Sequence, residues 1–382
     1  MSSNSVDVNT VPAHQPANGS LPVTVDNLAV CLDPQAPGMD ALCSRLASLA
    51  PKYRSVDDWP AESLALCAAA GVYRWFLPES SGGMGWSDAD QTRGYLRLAA
   101  ADLTTTFVIT QFMGACKRIA GSTNEAPRTK YLDRLISGEL FATVGISHLT
   151  TSSRHLSTPV LRARVDGDGY RLNGMSPWVT GGSSADVIVL AATLDDGREL
   201  LVTVETDDTG VVAGPGTELL ALSSSRTDRV TLDNVFVPSQ AVLAGPVQGV
   251  LKTGTGAGTG GLQTSTLAAG LSRAAVDYLI AESHRRDDLK SSAKQLDADV
   301  TALCDDLIAA ASGHPCDAGD IRGRANRLVT RSTQAALTGA KGAGYVASHP
   351  VGRWCREALF FLVWSCPQPV THEHLCELAG IQ

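Results

Sequence analysis

Trp178-Val179-Thr180-Gly181 is the segment of this 382-residue chain best equipped for chemistry. On an extended chain, residues two apart point to the same side, so Trp178 and Thr180 are expected to share one face. An indole beside a hydroxyl makes a wall for a flat heteroaromatic ring, because the indole stacks and the hydroxyl hydrogen-bonds a ring nitrogen. The same pattern describes a tryptophan buried in a β-core, and both readings stand at this point. Other candidate groups form weaker patterns. His372 and His374 make a His-x-His pair that splays on a helix and shares a face only on a strand. No third ligand follows at an evident spacing, so no metal site is expected. Gly256, Gly258 and Gly261 have dinucleotide-loop spacing. No clear strand leads into them and no Lys-Ser/Thr follows, so a phosphate loop is not expected there.

These groups need elements to hold them, and the hydrophobic period supplies a plan. Met39 to Leu42 opens one helix, Ala61 to Ala70 forms another that Gly71 ends, and Ser87 with Asp90 reads as an N-cap before a helix through Ala101. From Phe141 the period changes to two. Leu161 to Val165, Val187 to Ala192, Leu200 to Val204 and Val230 to Val237 read as strands, with Asp-Gly turns at Asp166 to Gly169 marking a meander. Beyond the glycine-rich stretch an Ala-rich helical region runs to about Phe361, broken at Ser312-Gly313-His314-Pro315. The plan is an α+β protein in four parts: a flexible tail over 1–37, an N-terminal helical domain over 38–140, a middle β-domain over 141–248 and a C-terminal helical bundle over 249–382.

Composition narrows the partners. With 44% hydrophobic residues the chain can bury a large core. Its net charge of -8 argues against nucleic acid, and no run reaches membrane-spanning length. Nine cysteines scattered without a Cys-x-x-Cys pair fit a reducing cytoplasm better than a disulfide framework.

With that order of parts in place, several motifs together resemble the acyl-CoA dehydrogenase superfamily of FAD flavoproteins. Leu77-Pro-Glu-Ser-Ser-Gly-Gly-Met-Gly-Trp86 is similar to its "P-E-x-x-G-G-x-G" loop, and Asp233-Asn-Val-Phe-Val-Pro238 to its "F-x-x-V-x-V-P" strand. Ala269-Gly-Leu-Ser-Arg-Ala-Ala275 resembles "A-L-G-I-A-R-A-A". Arg286 with Leu289 resembles the "R-x-x-F" pair, and Gly342 to Tyr345 with Pro350, Arg353, Arg356 and Glu357 resembles "G-x-G-Y…P-x-x-R-x-x-R-D". The resemblance implies a β-barrel-like middle domain, a C-terminal four-helix bundle, and a homodimer or homotetramer with FAD at the subunit junction. It implies cofactor contacts at Ile146, Ser147, Ser153, Trp178, Thr180, Arg286 and Gly342. Among these, Thr180 would hydrogen-bond near the flavin N5 and Arg286 would meet the diphosphate.

Two departures bear on the reaction. Where the family writes "T-E-P-x-x-G-S-D", this chain has Ser147-His148-Leu149-Thr150-Thr151-Ser152-Ser153, so His148 replaces the acid. It could hold the flavin edge, act as a base near neutral pH or serve as structure. Nine residues past Arg356, where the family places its catalytic Glu, stands Ser365. An unaided serine cannot remove an α-proton. Three readings follow. The first is oxidation of an acyl thioester by hydride transfer to FAD, with His148, His155, His372, Glu373 or His374 as substitute base and an electron-transfer flavoprotein or reductase as partner. The second is a flavin monooxygenase, which needs no such base. The third is a non-catalytic relative that binds or assembles.

Overall fold

In the computed structural model residues 29–150, 159–253 and 262–381 are described. The N-terminal helices are α1 (Pro37–Leu49), α2 (Ala61–Ala69), α3 (Val72–Trp75), α4 (Asp88–Ala101), α5 (Leu103–Ala120) and α6 (Glu125–Ile136). Ser87 caps α4 by accepting from the Asp90 amide, and Gly71, at φ 80°, takes the left-handed conformation between α2 and α3. Residues 31–36, which the sequence reads as part of a tail, are fastened to this domain. Two indole N–H groups, of Trp75 and Trp86, donate to the carbonyls of Cys31 and Leu32, and Arg97 Nη1 donates to that of Pro34. Trp75 and Trp86 stack at 4.2 Å, which makes the tryptophan ending the glycine-rich loop a core residue.

The middle domain is one sheet of β1 (Ala142–Gly145), β2 (Leu161–Asp166), β3 (Gly169–Val179), β4 (Val187–Leu194), β5 (Glu199–Glu205), β6 (Val211–Ala213), β7 (Asp228–Pro238) and β8 (Val242–Val247). Its order is β6-β7-β3-β2-β4-β5-β8, with β1 pairing β4. Strand β4 is buried throughout and apolar at every position but Thr193, because both its faces are covered. Val187, Val189 and Ala191 join the helical core, whereas Ile188, Leu190 and Ala192 join a second core. That second core gathers side chains from β2, β3, β4, β5 and β7, which is what a sheet curled on itself encloses.

The C-terminal helices are α7 (Leu262–Ser283), α8 (Lys290–Ala311), α9 (Ala318–Gly344), α10 (Pro350–Phe360) and α11 (Gln368–Ala379). The expected break at Ser312 to Pro315 separates α8 from α9. Two further breaks, at residues 284–289 and 345–349, interrupt the helical region that the sequence reads as continuous. Inside α9, Lys341 leaves the helical conformation at φ 55°, ψ -146°. Among the described residues no helix is long and apolar enough to cross a membrane.

Candidate functional site

The end of β1 and the end of β3 are tied side by side. Thr143 Oγ1 donates to the Thr180 carbonyl at 2.7 Å, and Ser147 Oγ donates to the Pro177 carbonyl at 2.6 Å. Gly145 lets the two chains approach, since a Cβ there would lie 2.8 Å from Ser176 Oγ and 2.5 Å from Leu190. These contacts bring the segments carrying Ile146, Ser147, His148, Trp178 and Thr180 together at one end of the strands.

Trp178 and Thr180 do not share a face. The pairing of β3 with β7 slips between Ser176 and Val179, and Trp178 sits in this irregularity at φ 54°. A bulge of this kind breaks the two-residue alternation. The indole is left 54% exposed while Thr180 is 2% exposed. The reading of Trp178 as a buried core residue is therefore set aside: the side chain is a large apolar plate open to a partner. Buried hydroxyls form a chain from Thr180, with Thr180 Oγ1 3.0 Å from Thr227 Oγ1 and that atom 2.8 Å from Ser225 Oγ.

His148 turns inward from a 3-10 turn over Ser147–Leu149. Its Nε2 lies 2.8 Å from the Ala191 carbonyl, which can only accept, so the proton is on Nε2 and Nδ1 presents a lone pair. Nδ1 is buried with no partner, as is Ser176 Oγ. Burial lowers the His148 pKa, and the Ala191 carbonyl opposes that only in part. The folded protein thus holds a neutral imidazole that the unfolded chain would protonate below about pH 6.5. The associated stability is present above that value and lost as pH falls through the lower folded pKa. His148→Leu is expected to flatten the fall in stability across this acid window, measured by urea denaturation at a series of pH values; an unchanged slope would show that another group carries it.

The remaining candidates lie elsewhere. Arg286 and Gly342 come near one another at the ends of α7 and α9, where Arg286 Nη1 donates to the Gly339 carbonyl at 2.5 Å and Nη2 to Asp288 Oδ2 at 2.7 Å. An anion arriving there meets a guanidinium already paired with Asp288. Ser365 follows α10 in a left-handed turn at φ 46°. The turn is held by buried Arg322, whose Nη2 donates to the carbonyls of Phe361 and Trp364 at 2.9 and 2.8 Å. Ser153 and His155 lie outside the described residues. His372, Glu373 and His374 are on α11, where the two histidines splay and Arg327 Nη1 donates to Glu373 Oε1.

Sequence reasoning missed the hydroxyls of Ser225 and Thr227, the buried carboxyl of Asp102, and Arg322. Asp102-x-x-Thr105 before an apolar run was a legible signal, since Asp102 caps α5 by accepting from the Thr105 amide. Nothing local marks the others, which depend on contacts far along the chain.

Comparison with known proteins adds three findings. The family model described as "Acyl-CoA dehydrogenase, N-terminal domain" matches residues 40–139. The chain is 28% identical over 268 residues to mitochondrial isovaleryl-CoA dehydrogenase of Pongo abelii, a match covering 62% of this chain and 61% of that protein. The match thus spans about three fifths of the length of this curated relative. Among solved structures, glutaryl-CoA dehydrogenase from Mycobacterium smegmatis in complex with FADH2 superposes at a TM-score of 0.74 and 18% identity, covering 91% of this chain and 96% of the other. FMN-bound TdsC from Paenibacillus does so at 0.70 and 14% identity, covering 88% and 94%.

Proposed function

As a member of the acyl-CoA dehydrogenase superfamily, this chain is, we propose, an FAD-dependent oxidoreductase acting on an acyl-CoA-like thioester. The observation that carries the proposal is the exposed indole of Trp178 at the end of β3, where Thr143 and Ser147 tie β3 to the end of β1. A flat heteroaromatic ring suits such an apolar plate. Bound flavin would supply a two-electron acceptor. The chain's own residues would bind and orient it. Trp178 would offer a stacking face, while the buried Thr180 and His148 would brace the strand ends that carry it, through Thr227 and the Ala191 carbonyl. Arg286 would meet the diphosphate after exchanging Asp288 for it, in a homodimer or homotetramer. Electrons would leave through an electron-transfer flavoprotein or a reductase.

A second reading, a flavin monooxygenase, is favoured by Ser365, which puts a hydroxyl where a carboxylate base would stand. One series of measurements separates the readings. Yellow purified protein bleached anaerobically by an acyl-CoA supports thioester oxidation. Oxygen uptake only after reduced flavin is supplied supports the monooxygenase, and colourless protein that takes up no flavin supports a binding or assembly role. Trp178→Ala is expected to lower the flavin retained on purification at least tenfold while leaving the fold intact, because the indole is exposed and its loss opens no cavity. Equal flavin content in the variant, read from visible absorbance against protein, would move the ring away from this wall.

A further inference from the structure

Away from the Trp178 wall, the three parts of the chain meet around a cavity of about 170 Å3. Its walls come from the segment after α1, the start of α5, the loop before β7 and the first two turns of α10. That volume is about five or six waters' worth of space, enough for a group of a few heavy atoms.

The polar groups facing it are unevenly satisfied. Arg353 makes no side-chain hydrogen bond among the described residues, and its contact with Glu357 is 3.7 Å, too long for one. Arg356 spends a single nitrogen on the Gly352 carbonyl, and Arg54 a single nitrogen on that of Pro51. A guanidinium carries five donors in a fork suited to carboxylate or phosphate, so most of these donors have no protein acceptor among the described residues; Arg54 and Arg356 are exposed to solvent and Arg353 is half-buried. Glu357 is 3% exposed and likewise makes no hydrogen bond among the described residues. Helix α10 points its N-terminus at the same space, with His349 Nδ1 capping the Val351 amide, and its dipole adds positive potential.

Two acids oppose these cations, Glu357 on the wall and Asp102 behind Thr104. Burial pushes both carboxyls upward in pKa, with Arg353 opposing the rise in each case. Three guanidinium groups against two carboxyls leave an excess of positive charge around the cavity.

We propose that this junction cavity binds a small organic anion through a carboxylate or phosphate group held by Arg353 and Arg356, and that occupancy ties the N-terminal helices, the loop before β7 and α10 together. Ligand bound only by the folded state raises the melting temperature in a saturable way. The test titrates the full-length protein, with whatever flavin it carries, with sodium acetate and separately with inorganic phosphate, against sodium chloride at matched ionic strength. The expected result is a saturable rise in melting temperature absent with chloride. Its midpoint should be at least tenfold weaker in Arg356→Gln and in Ser348→Trp, which plugs the exposed rim without altering charge, and unchanged in Arg164→Gln on β2. A response to acetate assigns a carboxylate ligand; a response to phosphate alone assigns a phosphorylated one. Equal responses to chloride, or a response kept in either cavity variant, would overturn the proposal. Flavin absorbance is read on the same samples, so failure of the flavin assignment is seen separately.

Discussion

Gly83→Ala is expected to destabilise the protein by about 3 kcal/mol or more, seen as a large drop in denaturation midpoint or as loss of soluble protein. The loop Leu77 to Trp86 folds back on its own start. The Gly83 amide donates to the Pro78 carbonyl at 3.1 Å, the Met84 amide to Arg74 at 2.7 Å and the Gly85 amide to Leu77 at 3.0 Å. A Cβ on Gly83 would fall 1.9 Å from the Leu77 carbonyl oxygen and 2.3 Å from its carbon. Those are backbone atoms, held by hydrogen bonds on both sides, and cannot swing away as a side-chain tip can. Gly85 provides the contrast. Its φ is +60°, and an added Cβ would make only ordinary contacts, the nearest being 3.5 Å from Glu79. Gly85→Ala should therefore cost about 1 kcal/mol of left-handed strain and no more. The two glycines look alike in the motif, so a ranking in which Gly85→Ala costs as much as Gly83→Ala would refute this account of why the loop is glycine-rich. On this account the loop closes the N-terminal domain and delivers Trp86 to its core, and needs no ligand to explain it.

The fold was legible where one chemical signal dominates a whole element. Strands β2, β5 and β7 announce themselves by apolar period, and β4 by an apolar run from Val187 to Ala192, because both faces are buried. The Ser87 cap and the Gly71 stop are local devices, readable from a few residues. Signals failed where a distant contact overrides the local pattern. Trp178 and Thr180 parted faces because β7 pairs with β3 through a bulge, which no residue of β3 alone specifies. Residues 31–36 look like tail in composition, yet are held because two tryptophans far along the chain have indole donors to satisfy. The candidate site follows the same rule. Its wall was legible as residue types. The hydroxyl chain to Ser225 and the inward turn of His148 toward Ala191 exist only once the strands are assembled.

At the turn after α10, one of two substitutions should destabilise the protein and the other should not. Arg322→Leu removes the donor that binds the Phe361 and Trp364 carbonyls and is expected to cost about 2 kcal/mol or more, since hydrogen bonds from a charged donor to buried acceptors are among the stronger ones. The loss is moderated because the guanidinium itself is only 4% exposed, with Nε unpartnered and its pKa pushed down by burial. Ser365→Gly, by contrast, relieves a side chain from φ 46° and is expected to leave stability unchanged or raise it by up to about 1 kcal/mol. Because Trp364 packs at 4.9 Å on both Phe107 and Phe360, the turn stays anchored when Ser365 changes, and position 365 can be altered without rebuilding its surroundings. That makes it the place to ask where the substrate lies. Ser365→Glu restores a carboxylate, and a positioned base contributes on the order of 100-fold or more to a proton-transfer step. If an acyl thioester is the substrate and its α-carbon reaches this turn, anaerobic bleaching by acyl-CoA should accelerate by about that factor in Ser365→Glu and not in Ser365→Gly. A folded, flavin-bearing Ser365→Glu protein that bleaches no faster than the parent would remove position 365 from the reaction and shift the weight toward chemistry that needs no α-proton base.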